Sequence, residues 1–120
     1  MARITRAALI QASNDAPLEA SISETKKQMI DKHIELIKQA ADQGAQVTCL
    51  QEIFYGPYFC AEQDTRWYEI AEQIPDGPTI QLMQQIAKQH KMILVVPIYE
   101  VDMTGVYYNT AAVIDEHGKY

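Results

Sequence analysis

Basic residues are scarce in this chain. Ten Lys and Arg stand against sixteen Asp and Glu, giving a formal net charge of −6. A nucleic-acid groove needs clustered cations, so no nucleic-acid partner is expected. No run of five like charges forms an interaction tail. Cysteine is almost absent: Cys49 and Cys60 alone make no disulfide scaffold, and reduced thiols in a cytoplasmic setting are expected. Ten residues separate them, so the C-x2-C spacing of a zinc site is missing. His33, His90 and His117 include no H-x-x-x-H pair and read as ordinary helix-flank and turn residues, so no metal site is expected. The five glycines make no G-x-G-x-x-G, P-loop or G-x-S-x-G pattern, and no cofactor is expected. No apolar run approaches the roughly 18 residues of a membrane span. The run from Ala7 to Ile10 is broken at Gln11, too soon for a secretory leader.

What is present is a mixed α/β pattern in 120 residues, 48% of them apolar, enough for one small domain. Residues 3–12 read as a first strand, ended by Ser13, Asn14, Asp15 and Pro17. Ser21 and Glu24 fit a capping box, and Ile30, Ile34, Ile37 and Ala41 then mark one face of a helix over residues 22–43. Gly44 is its expected stop. Residues 47–54 read as a second strand, parallel to the first. Pro75-Asp76-Gly77-Pro78 is a turn, with Pro78 in the first turn of a helix whose buried side carries Ile80, Met83, Ile86, Ala87 and His90. Met92 to Val96 reads as a strand covered on both faces, and Tyr107 to Asp115 as a fourth strand. The order β-α-β-(loop, short helix)-α-β-β is α/β. The last turn, Glu116-His117-Gly118, has no returning strand, so the domain is expected to be cut after its fourth strand.

The chemistry-bearing stretch is VTCLQEIFYGPYFC, Val47 to Cys60. Strand parity puts Leu50 and Glu52 on one face and Cys49 and Gln51 on the other. Glu52 then lies at the carboxyl end of a parallel strand, where ligand sites of open α/β sheets gather. Phe54, Tyr55, Tyr58 and Phe59 are candidates to wall a pocket beside it. A carboxylate so enclosed has the raised pKa that a general base or acid needs. The plainer reading is a solvated or ion-paired carboxylate at a strand end. Cys49 is expected to be buried and inert, and Cys60 lacks the cation or helix N-terminus that would activate a thiol. From the residues alone, the site holds a base and no nucleophile.

The run GAQVTCLQEIFYGPYFC resembles the first catalytic segment of the nitrilase (carbon–nitrogen hydrolase) superfamily, in which a helix, a Gly-Ala pair and an apolar strand lead to a Pro-Glu or Gln-Glu pair. Gln51-Glu52 matches that pair, and Tyr58 a common aromatic just after it. AALIQA, DGPTIQLMQQIAKQHKMILVVPIYE and YYNTAAVIDEHG resemble the family's first strand, its second helix and next strand, and its Tyr-Asn-Thr strand and turn, in the same order. Gln51-Glu52, Phe59-Cys60 and residues 76–79 and 97–100 are most similar to N-carbamoyl amidohydrolases. The resemblance implies the N-terminal half of a four-layer α-β-β-α sandwich, residues 1–120 being part of a single domain, and a Glu-Lys-Cys triad. It carries over Glu52 as the general base and Tyr58 as a substrate-binding residue. The Lys and Cys would lie beyond Tyr120; Lys119 and the two cysteines present do not match them. The implied substrate is a small N-carbamoyl amine or amino acid, of the N-carbamoyl-β-alanine or N-carbamoylputrescine kind. The implied enzyme is a cytoplasmic homo-oligomer when full length, with no cofactor, nucleic acid or membrane. A truncated, non-catalytic relative acting as a binding module is the competing expectation.

Overall fold

Four strands form one sheet in the order β1 (Ala7–Leu9), β2 (Val47–Cys49), β3 (Ile93–Met103) and β4 (Val106–Ile114). The computed structural model describes residues 3–120. β1, β2 and β3 run parallel, and β4 returns antiparallel to β3. Helix α1 (Ile22–Asp42) joins β1 to β2, and helix α2 (Pro78–His90) follows two 3-10 turns, Phe59–Ala61 and Thr65–Ile70. The parallel βαβ start and the final hairpin match the order expected from sequence. The first two strands are shorter than expected, and β3 runs well past Val96 through Pro97 to Met103.

The α1 boundaries follow from local chemistry. The Ser21 hydroxyl accepts the Glu24 N–H at 3.2 Å, and the Glu24 carboxylate accepts the Ser21 N–H at 2.9 Å. This is the capping box read from the sequence. At the other end Gly44 takes φ +79° and donates to Ala41 O at 2.8 Å, a left-handed stop that suits glycine. The buried stripe is rotated from the expected one. Met29, His33, Ile37 and Ala40 face the sheet, while Ile30, Ile34 and Ala41 flank them half-buried. Sequence periodicity missed this because a histidine holds a central position. On α2, Ile80, Met83, Ile86 and Ala87 are buried as expected, and His90 is half-buried at the end.

Both helices lie on one side of the sheet and share a core with Leu50, Leu94, Val96, Ile98, Ala112 and Ile114. The other side has no cover among the described residues. There the register aligns Leu9, Cys49, Val95 and Val113 across all four strands, with Leu9 86% and Val113 56% exposed. Strand β3 is thus apolar on both sides but covered on one, and Cys49, expected in the interior, is half-buried on the open side.

Two buried polar groups stabilise the helix side. Glu72 is buried and takes an ion pair from Lys26. Its two oxygens also accept the Thr79 N–H at 2.8 Å and the Thr79 hydroxyl at 2.7 Å. Gly77, the N-cap of α2, has no side chain to offer, so a carboxylate from five residues upstream caps the helix and meets its positive end. A Cβ on Gly77 would lie 2.5 Å from Gln73 O, which is why the position is glycine. Replacing Glu72 with Ala strands Lys26 and uncaps α2. The expected loss is about 3–5 kcal/mol of stability, read as a shift of the urea midpoint.

His33, fully buried, points Nδ1 at Met29 O at 2.8 Å and packs on the Phe54 ring with centroids 5.0 Å apart. Among the described residues its Nε2 has no hydrogen-bond partner. Burial holds its pKa below the ordinary histidine value, so the unfolded chain takes up the proton first. Stability is therefore complete above about pH 6.5 and falls as pH drops below it. Thermal unfolding between pH 8 and pH 5 is expected to show that fall, and His33→Gln is expected to flatten it.

Candidate functional site

The site forms where β2 ends early. After Cys49 only the Leu50 N–H continues the ladder, to Val95 O at 3.0 Å, and the chain then leaves the sheet in a turn. Ile53 in that turn has φ +45°, a conformation that β-branched residues rarely adopt. The Gln51 side chain reaches back instead to β1: its Nε2 donates to Ala12 O at 2.8 Å, and its Oε1 accepts the Ala12 N–H. Phe54 N–H meets Pro97 O at 3.4 Å. One step on, the Tyr55 hydroxyl accepts the Tyr99 N–H and donates to Tyr99 O, both at 3.1 Å. The Glu72 backbone then bonds Tyr99 O and the Val101 N–H at 3.0 Å each. A side-chain hydroxyl and an isolated bridge thus occupy the edge of β3 that β2 leaves vacant.

Glu52 sits in this turn, and the structure corrects two expectations about it. The strand parity that grouped it with Leu50 fails, because β2 stops at Cys49 and the turn breaks the period of two. Leu50 is buried under the helices, whereas the Glu52 carboxylate is exposed and accepts a hydrogen bond from Asn109 Nδ2. Asn109 alternates with the buried Ala112 side and shares the open side of β4 with Ala111 and Val113. The carboxylate therefore lies toward the uncovered face, at its carboxyl-terminal end. The aromatic enclosure also differs. Phe54 and Tyr55 are fully buried in the core and wall nothing, and the enclosure expected to desolvate Glu52 is not supplied by these residues.

An aromatic wall does stand nearby, built from the expected Phe59 and from rings that were not expected there. Trp67 stacks on Phe59, Phe59 tilts against Tyr99, and Tyr107 stacks between Tyr99 and Tyr68, with centroids 4.6–5.8 Å apart. With Cys60, the rings of Phe59, Trp67, Tyr68 and Tyr99 line a cleft. Tyr58 is 65% exposed; the adjacent Cys60 sulfur, and after it the Glu52 carboxylate, push its phenol above the ordinary value. The structure so brings Glu52, Tyr58 and Cys60 together and leaves Cys49 apart, on the open sheet face. Among the described residues no group of three His, Cys, Asp or Glu is placed to hold a metal ion. No helix of the described residues is long and apolar enough to cross a membrane.

Sequence reading missed Asn109 and the ring pair Tyr99 and Tyr107. Asparagine is depleted in strands, so Asn109 inside YYNTAAVI was the available signal. The rings gave none, since aromatics are ordinary strand residues.

These features define an α/β layer with an acidic group at a strand end on an uncovered face. Comparison with known proteins places that class further. The profile described as carbon-nitrogen hydrolase matches residues 6–120, and the chain belongs to that family. It is 35% identical to a β-ureidopropionase of Arabidopsis thaliana over 97% of this chain and 29% of that protein. It is 29% identical to an N-carbamoylputrescine amidase of Oryza sativa subsp. japonica over 86% of this chain and 34% of that protein. The chain thus spans about a third of the length of these relatives. Its fold is that of a carbon-nitrogen hydrolase from Helicobacter pylori G27, with a TM-score of 0.82 at 20% identity over 96% of this chain and 37% of that one.

The hydroxyl that joins Tyr55 to Tyr99 gives a direct test of how the turn is held. Tyr55→Phe keeps the ring and leaves the Tyr99 N–H without its partner. A stability loss of about 1–3 kcal/mol is expected, measured by chemical denaturation.

Proposed function

We propose that this chain is the N-terminal portion of an amidohydrolase that cleaves the C–N bond of a small N-carbamoyl compound, with Glu52 as general base. The observation that carries the reading is the Glu52 carboxylate on the open sheet face, exposed and held by a neutral donor, Asn109. In the proposed reaction Glu52 takes the proton of a cysteine thiol supplied by the rest of the polypeptide. The thiolate attacks the ureido carbonyl, and a lysine, also from beyond this segment, stabilises the oxyanion. Glu52 returns the proton to the departing ammonia. Water, deprotonated by Glu52, then hydrolyses the thioester, and the resulting carbamate releases carbon dioxide and the amine.

The remaining two-thirds of the family length would also supply a second sheet over Leu9, Val95 and Val113, completing the sandwich. Covering that face would enclose Glu52 and provide the desolvation that these residues do not. Tyr58, beside Glu52 and Cys60, is the proposed substrate-binding residue at the mouth. Cys49 and Cys60 are unpaired thiols, which fits a cytoplasmic enzyme, and the family resemblance supports a homo-oligomer.

N-carbamoyl-β-alanine is the proposed substrate, supported by the similarity to β-ureidopropionase. An N-carbamoylputrescine-like substrate is the second reading, supported by the similarity to the rice amidase. Ammonia release from both compounds, catalysed by the protein that carries this segment, separates them. Glu52→Gln is expected to lower kcat by roughly 10²–10⁴-fold with the thermal midpoint unchanged. Full-rate hydrolysis by that variant, or none by the wild type on either compound, refutes the proposal.

A further inference from the structure

We propose that Asn109 is the positioning residue for the Glu52 carboxylate, holding Oε1 and leaving Oε2 free to take a proton. The inference rests on the base role proposed above. Its first support is the contact itself: Asn109 Nδ2 donates to Glu52 Oε1 across 57 positions of chain. The two ends of that contact differ in rigidity. Glu52 lies in a turn, whereas Asn109 lies inside β4, paired opposite Tyr99 of β3. Tyr99 is in turn gripped by the Tyr55 hydroxyl and the Glu72 N–H. The donor is therefore fixed by the sheet, and the acceptor is what it can orient.

The backbone on the acceptor side supports the same assignment. Ile53, the residue after Glu52, is 2% exposed and held at φ +45°. For a β-branched residue that conformation is strained. It is maintained because the side chains of Ile53, Phe54 and Tyr55 are all anchored in the core. In the turn so anchored, Glu52 departs from the Leu50 side and reaches the face on which Asn109 stands. An ordinary strand continuation would send the carboxylate under the helices.

The chemistry of the donor also fits. Among the described residues no Lys or Arg forms an ion pair with Glu52. A cation there would stabilise the carboxylate strongly and weaken it as a base. A neutral amide fixes one oxygen with a smaller effect on basicity. Tyr58, which feels the Glu52 charge, is not a cation either. An asparagine in mid-strand, poor for the sheet, is explained by this contact.

The test uses the protein that carries this segment, assayed for ammonia release. Asn109→Ala is expected to lower kcat about 10²-fold, as misplacement of a reacting group by about 1 Å does, with KM and the thermal midpoint nearly unchanged. Asn109→Asp, isosteric and lacking the donor, is expected to lose at least as much because it sets a second carboxylate beside Glu52; it carries the test if the Ala variant fails to fold. In a Glu52→Asp background, where the shorter acid no longer reaches Asn109, Asn109→Ala is expected to add little further loss. Wild-type kcat in both Asn109 variants overturns the inference. So does a rise in KM alone, which would mean a substrate contact, or an equal fold-loss in both backgrounds, which would mean an effect not routed through Glu52. If Glu52→Gln kills turnover while the Asn109 variants stay active, only this inference fails. If Glu52→Gln stays active, it is the base reading that falls.

Discussion

Unequal strand length is the constraint on which the rest of this structure depends. β2 has three residues and β3 eleven, so beyond Val95 the N–H and C=O groups of β3 have no strand on that side. Buried backbone polar groups must be paired. Here they are paired by the Phe54 N–H, the Tyr55 hydroxyl and the Glu72 backbone in succession. Each substitute pins a different segment: the turn after β2, the aromatic core beneath it, and the approach to α2. The segment from Gln51 to Gly77 is thereby fastened to β3 with little regular structure of its own.

Glu72 shows how that fastening links to the helix layer. Its backbone extends the sheet, while its carboxylate caps α2 and takes the Lys26 charge from α1. Lys26 also donates to Ile70 O at 3.0 Å and lies over the Tyr55 ring. The two helices, the 3-10 turn and the ring that bridges to Tyr99 therefore meet at one buried charge pair. Buried pairs contribute little net stability against apolar alternatives, but losing one partner is severe. The pair is best understood as fixing a geometry that hydrophobic contacts alone would leave loose.

The sheet itself is finished on one side only. Under the helices, Leu94, Val96, Ile98 and Ile114 have no exposed surface. On the other side Leu9, Val95 and Val113 keep apolar surface toward solvent beside Glu52 and the ring wall. That juxtaposition gives the site its character: a carboxylate held by an amide, next to aromatic rings, on a face whose composition suits an interior. For the proposed reaction, which begins with proton transfer to Glu52, the useful features are the single anchored oxygen and a face able to exclude water once covered.

Much of this was legible in the residues. The capping box at Ser21 and Glu24, the stop at Gly44 and the Pro78 start of α2 are local chemistry, decided within four residues, and they appear as read. Gln51-Glu52 and the ordered segments around it were enough to recognise the family. Other features depend on groups far apart in sequence. That His33 is interior, that Phe54 and Tyr55 are core and Trp67 wall, and that Glu52 faces Asn109 were not legible. The sequence by itself determined which segments become helix or strand, because caps, turns and periodicity act over one or two turns of chain. Only the tertiary structure decided which way Glu52 points. That direction depends on where β2 stops against β3, which is set by packing between segments that the sequence keeps more than forty residues apart.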